Sequence, residues 1–261
     1  FYNNSFYAVG GYLPFLQQSG EDQLETAYAL AMSERVFGPA GMATARLTDD
    51  PRPFTDDYAV GNELDFAHGL VTQPWALVGS FGPVGAVYAS LDDMTNYLRM
   101  QLGGGVAVSG KRVVSPENLK ECWKPHIDVP IAKVVDPDLV KAGYGMGWLT
   151  QTYSDGRTLT WHSGGIDGFI TYMGFFEADD LGLVVLTNNG PSAHGLYFYP
   201  YLINELLSNL FGLNAGVSQT LVDFANEADK TLQATIEQAT VVSKEAISQY
   251  LGYYQRGYVL S

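Results

Sequence analysis

The periodicity of the chain changes at Tyr144, and this change constrains the fold more than any other feature of the sequence. Helical spacing gives way to alternation of apolar and polar residues, interrupted by short segments rich in Gly, Asp and Ser. The alternating segments pair into two predicted β-hairpins, residues 145–153 with 157–161 and residues 169–176 with 182–187. Two successive hairpins predict an antiparallel sheet. The apolar run at 183–186 predicts that the last strand is buried on both faces.

Helices are predicted on either side of this sheet in the sequence. Residues 5–37 carry apolar side chains at helical spacing. Ser90 is followed three residues later by Asp93, which is the pattern of a capping box at the start of a second helix. Residues 199–210 predict a helix that packs on the sheet. This order of elements predicts an α+β fold, with an antiparallel sheet flanked by helices.

The charge balance limits the partners of the chain. The 261 residues have a formal net charge of −14, which argues against nucleic acid because phosphates require a basic surface. No apolar run approaches the ~20 residues of a membrane-spanning helix, so no membrane span is predicted. Cys122 is the single cysteine, which excludes a disulfide within the chain, and we expect it to be a small buried apolar side chain.

The motif His162-Ser163-Gly164-Gly165 follows directly on the predicted strand 157–161. Glycines at the end of a strand expose backbone N–H groups, which can stabilise an oxyanion. His162 can hold a charge near neutral pH or donate a hydrogen bond. The alternative is a strand-end histidine packed beside Trp161, with the glycines forming a bend. The residues by themselves leave both interpretations open.

The start of the chain carries a second candidate group. Tyr2 offers a phenol for proton transfer, and Asn4 offers a carboxamide that can position a substrate or a nucleophile. A tyrosine acts as a general base only when a nearby cation lowers its pKa from about 10. The alternatives are an ordinary loop tyrosine at position 2 and an N-cap at Ser5 for the helix that follows.

Several common catalytic patterns do not occur in the sequence. His68, His126 and His194 lack the spacing of metal ligands, and the aspartates form no calcium loop, so neither a metal nor a cofactor is expected. No Gly-x-Ser-x-Gly motif is present. The long segment 48–83 lacks clear periodicity, and loops of this length in compact domains are often functional.

Five segments in collinear order resemble the serine β-lactamase and penicillin-binding-protein-like superfamily, in its branch of class C β-lactamases, esterases and D-amino-acid peptidases. Together they cover about residues 1–212. The segments are Phe1-Tyr2-Asn3-Asn4, similar to a Tyr-x-Asn motif; residues 37–42, similar to a Pro-Leu-Gly-Met turn; residues 82–102, similar to a Gly-Gly-x-x-Ser-x-x-x-Asp-Met segment; Tyr144-Gly145-Met146-Gly147-Trp148, which matches a Tyr-Gly-x-Gly-Trp strand; and His162-Ser163-Gly164, in the place of Lys-Thr-Gly or His-x-Gly.

The resemblance implies catalytic roles for two of these residues. Tyr2 would be the general base or part of the proton relay, and His162 would assist the relay electrostatically. Asn4 would bind the substrate or the catalytic lysine.

The resemblance also implies how the substrate is held. Ser163 and Gly164 would line the strand along which the substrate binds, and the backbone N–H of Gly165 would complete the oxyanion hole. The substrate would be a small molecule or a peptide: an ester, a D-amino-acid peptide or amide, or a β-lactam. It would be cleaved through an acyl-enzyme formed on a serine.

The chain departs from the family pattern in one respect. The family's nucleophile is the serine of a Ser-x-x-Lys motif, and no serine of this chain is followed by a lysine three residues later. We therefore expect the fold to be incomplete at its N-terminus, and the chain by itself to be inactive. The nucleophile would come from a missing N-terminal segment or from a companion chain. The rival interpretation is a non-enzymatic module that binds a ligand or peptide in the same cleft.

The predicted organisation has three parts. Residues 1–224 would form the partial catalytic domain, residues 225–249 a helical linker, and residues 250–261 the start of a possible C-terminal β-barrel domain, as in several members of the superfamily. An extracellular or periplasmic location is expected.

Overall fold

A six-stranded antiparallel sheet lies at the centre of the computed structural model, which describes residues 2–16, 20, 23–65, 69–75, 77–131, 136–190 and 193–238. The strands described are β1 (Arg46–Leu47), β2 (Asn62–Asp65), β3 (Gly69–Thr72), β4 (Val87–Tyr88), β5 (Ile127–Asp128), β6 (Leu139–Tyr144), β7 (Leu149–Tyr153), β8 (Thr158–Ile166), β9 (Phe169–Phe176) and β10 (Leu181–Thr187). The helices are α1 (Asn4–Tyr12), α2 (Leu24–Met32), α3 (Gly38–Ala40), α4 (Gly82–Gly85), α5 (Leu91–Leu102), α6 (Pro116–Trp123), α7 (Ala193–Phe211) and α8 (Val217–Gln238).

The central sheet has the strand order β10-β9-β8-β7-β6-β5, and every neighbouring pair is antiparallel. The two predicted hairpins are β7–β8 and β9–β10. On one face of the sheet α7 buries Leu207 against Leu159 and Tyr172, and on the other α5 and α6 bury Leu98 and Trp123. Because helices cover both faces, the predicted α+β class, with an antiparallel sheet flanked by helices, is confirmed.

Strand β8 is longer than the sequence indicates. The predicted strand ends at Trp161, but the observed strand continues through the glycines to Ile166, which pairs with Phe169 on β9. The bend at Gly164 and Gly165, which the sequence left open as an alternative, is therefore not formed. The cross-strand ladder with β9 outweighs the low strand propensity of glycine, because every residue from Thr160 to Ile166 has a partner on β9.

Strand β10 is the edge strand of the sheet among the described residues. Leu183 and Val185 pack on the core beneath α7, and Val184 packs on the opposite core, so both faces do carry apolar contacts. However, every residue of β10 keeps some exposure, and Leu186 is 37% exposed. The prediction of full burial is wrong because the strand pairs with β9 on one side only.

The helix predictions are confirmed to different extents. Ser90 accepts a hydrogen bond from the Asp93 N–H at 3.2 Å and donates its own N–H to the Asp93 carboxylate at 3.1 Å, so the capping box is present. The predicted helix 199–210 lies within α7. The predicted helical segment 5–37 is divided into α1, α2 and shorter 3-10 and π-helical turns.

Helix α8 bears on the predicted domain boundary. It is continuous from Val217 to Gln238, and its residues Leu221 and Ala225 are buried. The helix therefore begins before the predicted linker 225–249. The division into catalytic domain, linker and barrel stays a prediction, and residues 239–261 lie outside the described residues.

Candidate active site

Three rings meet where α1 approaches the end of β6 and the middle of β8. The centroids of the Tyr2 and Tyr144 rings are 5.7 Å apart and those of Tyr2 and His162 are 6.2 Å apart. Tyr144 and His162 complete the triangle at 5.9 Å. The structure thus brings together Tyr2 and His162, two predicted site residues that are 160 positions apart in the sequence.

The start of α1 positions the predicted Tyr2 and Asn4. Asn3 is the N-cap, because its side-chain oxygen accepts a hydrogen bond from the Phe6 N–H at 3.2 Å. The alternative of an N-cap at Ser5 is therefore wrong. Tyr2 precedes the cap and is 57% exposed, and the exposed Asn4 is the first residue of the helix. Both side chains lie at the same end of α1.

Sequence reasoning missed Tyr144 as a member of this site. Its position at the end of β6 is set by the turn that follows, in which the Gly145 N–H donates to the Trp148 carbonyl at 2.8 Å. Gly147 has a φ of +83°, which favours glycine, and a Cβ at this position would lie 2.7 Å from the Tyr7 hydroxyl oxygen. The Tyr-Gly-x-Gly-Trp motif therefore packs the turn against α1. The sequence did contain a signal for Tyr144, namely an aromatic residue directly before a glycine-rich turn.

His162 is held by hydrogen bonds to both ring nitrogens. Nδ1 lies 2.6 Å from the Ser163 carbonyl oxygen, which can only accept, so Nδ1 carries the proton. Nε2 lies 3.2 Å from the Tyr144 hydroxyl oxygen. Burial lowers the pKa of His162 below its usual value of 6.5 and outweighs the hydrogen bond to Ser163, which raises it. The ring is therefore neutral at pH 7, and the Tyr144 hydroxyl donates to Nε2.

The two tyrosines are protonated in this environment. Burial raises the pKa of Tyr144 to about 12 and also raises the pKa of Tyr2. This direction is opposite to the lowered pKa that a tyrosine needs to act as a general base at neutral pH. In the structure as described, Tyr2 can donate a proton but is a poor acceptor of one.

The backbone of β8 has a free edge next to these rings. Strand β7 accompanies β8 only as far as Trp161, which pairs with Leu149, so the part of β8 that follows pairs with β9 alone among the described residues. Ile166 and Phe169 flank a two-residue turn and form a hydrogen-bonded pair. The alternation of an antiparallel ladder then directs the N–H of Gly165 away from β9, toward the free edge.

The two glycines Gly164 and Gly165 differ in their surroundings. A Cβ at Gly164 would lie 2.8 Å from the Thr171 hydroxyl oxygen, so glycine at this position permits close packing of β8 on β9. At Gly165 the corresponding position has no atom of the described residues within 4 Å. Open space at the Cβ position leaves the role of the Gly165 N–H as an oxyanion donor a prediction, which its direction toward the free edge supports.

Ser163 is not on the same face as His162. Consecutive strand residues point to opposite faces, so the Ser163 side chain lies on the α7 face, where its cross-strand partner Tyr172 is buried. The expectation that Ser163 lines the strand along which the substrate binds stays a prediction. Its carbonyl oxygen, which accepts from His162, does lie at the free edge.

The remaining candidates from the sequence take no part in this cluster. Cys122 is partly buried against the core beneath α5 and α6, and burial raises the pKa of its thiol, which fits the expected apolar role. His126 lies 3.6 Å from Glu121. His68 and the side chain of His194 are outside the described residues. In the part of the chain that the structure describes, no group of three or more His, Cys, Asp or Glu residues is arranged to hold a metal ion.

The fold and this site define a β-lactamase-like domain, and comparison with known proteins agrees. The family model described as Beta-lactamase matches residues 4–207. The chain belongs to the β-lactamase family. The resemblance drawn from the sequence motifs is thereby confirmed.

Two curated relatives illustrate the family context. A D-aminopeptidase of Cereibacter sphaeroides is 34% identical over 175 residues, which make up 65% of this chain and 30% of that protein. Penicillin-binding protein 4 of Amycolatopsis lactamdurans is 29% identical over 189 residues, or 70% of this chain and 46% of that protein. The chain therefore spans less than half the length of these relatives.

Solved structures show the same fold. The octameric penicillin-binding protein homologue from Pyrococcus abyssi superposes with a TM-score of 0.56 at 25% identity, covering 69% of this chain and 38% of that one. A class C β-lactamase from Rhodobacter sphaeroides superposes with a TM-score of 0.58 at 18% identity, covering 79% and 60%. Among the helices described, none has the length and apolarity to cross a bilayer.

Proposed function

We propose that this chain forms one side of the active site of a serine hydrolase that works through an acyl-enzyme. The substrate would be an ester, a D-amino-acid peptide or amide, or a β-lactam. The observation that carries the proposal is the position of the Tyr2, Tyr144 and His162 rings beside the free edge of β8. Proton-transfer groups and a potential oxyanion donor, the Gly165 N–H, thus share one cleft.

In this proposal the serine hydroxyl gives its proton to Tyr2, once a nearby cation has lowered the pKa of Tyr2, and the serine oxygen attacks the substrate carbonyl carbon. The bond from that carbon to the leaving nitrogen or oxygen then breaks, and the acyl group remains as an ester on the serine. The Gly165 N–H donates to the oxygen that becomes negative in the transition state. The Tyr2 phenol passes a proton to the leaving nitrogen or oxygen. Water then attacks the acyl-enzyme, and the serine leaves with a proton returned through the same tyrosine.

His162 would support this relay as a neutral group. Its Nε2 accepts from the Tyr144 hydroxyl and its Nδ1 donates to Ser163, so its ring is fixed beside Tyr2. A neutral imidazole adds no positive charge that would lower the pKa of Tyr2. A cation from elsewhere is therefore needed before Tyr2 can accept the serine proton. The lysine of a Ser-x-x-Lys motif would supply this cation. Asn4, the first residue of α1, would contact that lysine or the substrate.

The nucleophile would come from a segment outside these 261 residues or from a companion chain. The outer edge of β10 offers a docking place for it, because this seven-residue strand is unpaired on that side among the described residues. Its sequence, Leu-Gly-Leu-Val-Val-Leu-Thr, contains no charged residue and no proline. Such an edge is a ready template for another strand. We propose that the segment carrying Ser-x-x-Lys adds a strand there.

The experiment is reconstitution. The chain is mixed with a polypeptide carrying the Ser-x-x-Lys motif, taken from the gene that encodes this chain, and is exposed to a fluorophosphonate probe. We expect stoichiometric labelling of the added serine, none with the 261 residues alone, and none when that serine is changed to alanine. Labelling of the 261-residue chain alone would place the nucleophile within it and contradict the proposal.

The alternative is a module that binds a ligand or peptide without turning it over, and the lack of Ser-x-x-Lys in the sequence favours it. If the encoding gene contains no such motif and no second chain with one co-purifies, this alternative replaces the hydrolase. An extracellular or periplasmic location likewise stays a prediction, and fractionation of the source cells tests it.

A further inference from the structure

A cavity of about 120 Å³ lies beyond the end of β8, on the side away from Tyr2. Its walls come from the residues just before β2, from the end of β3 and the residues that follow it, from Tyr88 on β4, and from the β8–β9 turn with its flanking residues. Most of the wall is apolar or aromatic, formed by Pro74, Trp75, Tyr88, Ile166 and Phe169. Thus part of segment 48–83, which the sequence marked as a candidate functional loop, encloses a preformed space.

One backbone hydrogen bond holds the loop against the β8–β9 turn, and a second one joins two parts of the loop itself. The Asn62 N–H donates to the Gly168 carbonyl at 3.1 Å, and the Gln73 N–H donates to the Gly61 carbonyl at 2.8 Å. Gly61 has to be glycine here, because a Cβ would lie 2.9 Å from a ring carbon of Phe169. The cavity is therefore built by specific contacts between the loop and the β8–β9 hairpin.

Trp75 is fixed from three directions. Its ring lies 5.6 Å from that of Tyr58 and 6.1 Å from that of Tyr88, measured between centroids. The guanidinium carbon of Arg52 lies 5.4 Å from the Trp75 centroid, and Asp50 holds that guanidinium at 2.7 Å. A large aromatic surface is thus presented in one orientation, at little entropic cost to a ligand that stacks on it.

The cavity lies farther along β8 than the proposed active site, on the same face of the strand. His162, Gly164 and Ile166 point to the same face of β8, because side chains two residues apart share a face. His162 and Ile166 are separated by about 13 Å along the strand, at about 3.3 Å per residue. The proposed oxyanion donor, the Gly165 N–H, immediately precedes Ile166, which lines the cavity. An acyl group held at Gly165 would therefore have its side chain beside this cavity.

We propose that the cavity is a specificity subsite that takes a single aromatic ring, carried as the side chain of the substrate's acyl group. This inference rests on the proposed function, since it assigns an acyl group to the free edge of β8. The size supports one ring: an apolar cavity of about 150 Å³ in another protein binds benzene. The Trp75, Tyr88 and Phe169 rings favour an aromatic occupant over an aliphatic one of similar volume.

Binding to the whole 261-residue chain tests the subsite without requiring catalysis. The probes are N-acetyl-D-phenylalaninamide and N-acetyl-D-alaninamide, which differ by one phenyl ring, and tryptophan fluorescence with calorimetry reports binding. We expect the phenyl probe to bind about tenfold more tightly than the methyl probe, because burial of the ring removes apolar surface from water. Trp75→Ala should remove this preference, and Trp75→Phe should keep most of it.

A control and a second variant separate the subsite from general stability. Phe198→Ala removes an exposed aromatic side chain of α7 and should leave the preference unchanged. Because Trp75 also packs on Tyr58 and Tyr88, its loss could destabilise the loop, so Val60→Phe is the second test. Val60 lines the cavity, and a larger side chain there reduces the cavity volume without changing Trp75. It should weaken the phenyl probe and spare the methyl probe. Equal affinities of the two probes for the unaltered chain would overturn the proposal.

The reconstituted enzyme distinguishes failure of the subsite from failure of the proposed function. If the chain prefers the phenyl probe through Trp75 but no serine is labelled after reconstitution, the subsite is supported and the proposed hydrolase function is contradicted. Serine labelling with equal kcat/KM for phenyl and methyl acyl groups retains the hydrolase and overturns the subsite.

Discussion

The hydroxyl oxygen of Tyr144 lies 3.2 Å from Nε2 of His162, while Nδ1 of the same ring lies 2.6 Å from the Ser163 carbonyl oxygen. One nitrogen accepts and the other donates, so the imidazole is fixed in a single tautomer. The sequence allowed His162 either a charged role or a hydrogen-bonding role. The structure assigns it the neutral, hydrogen-bonding role. Its ring in turn stacks near Tyr2, the proposed proton donor.

Tyr144→Phe should raise the pKa of His162. The Tyr144 hydroxyl donates to Nε2 and thereby stabilises the neutral ring, and the phenylalanine variant lacks this donor. Histidine NMR titration of the variant measures the change, with His126, which lies beside Glu121, as the internal reference. An unchanged or lower pKa at His162 would show that the Tyr144 hydroxyl does not donate to the ring.

The stability of the chain should fall as the pH drops below about 6.5, the unfolded-state pKa of histidine. Because burial lowers the pKa of His162, the unfolded state binds more protons than the folded state over this range. The stabilisation is complete above this pH and is lost as the pH falls through the folded-state pKa. Urea unfolding between pH 5 and 8 measures the slope, and His162→Gln should reduce it. An equally steep slope in the variant would assign the effect to another group.

Gly164→Ala and Gly165→Ala form a matched pair of variants on neighbouring residues. At Gly164 the added methyl group meets the Thr171 hydroxyl at 2.8 Å, whereas at Gly165 it meets nothing within 4 Å in the part of the chain that the structure describes. We expect a loss of about 1–2 kcal/mol of unfolding free energy at Gly164, from overpacking. At Gly165 the change should stay within about 0.5 kcal/mol. Chemical denaturation measures both, and similar losses at the two positions would contradict the observed packing of β8 on β9.

Ser90→Ala should cost about 1 kcal/mol of stability, because the Asp93 N–H loses its capping partner at the start of α5. Asp92→Ala is the control, since Asp92 lies in the same turn but does not form the capping box. Thermal unfolding compares the two variants. A control variant that loses as much stability as Ser90→Ala would point to the charge of the first turn instead of the cap.

Local patterns predicted much of the sheet and its helices. The alternation in residues 145–153 and 169–176 predicted β7 and β9, although β7 itself begins only at Leu149. The Ser90–Asp93 spacing predicted the cap of α5. These features depend on interactions between residues close in sequence, so they can be read from it. The length of β8 was missed because it depends on a ladder with β9 that overrides the propensity of glycine.

The candidate site was likewise predicted from the sequence in part only. From the sequence alone, Tyr2, Asn4 and the His162–Gly165 motif could be selected as candidates, and the lack of a Ser-x-x-Lys motif could be established. The sequence also determined the family, because its motifs keep their order along the chain. Only the tertiary structure decided that Tyr144 joins the candidate site, that His162 is neutral, that Ser163 faces α7 and that Trp75 lines a cavity together with Ile166 of β8. Each of these depends on burial or on contacts between segments far apart in the chain, and neither is a property of local sequence.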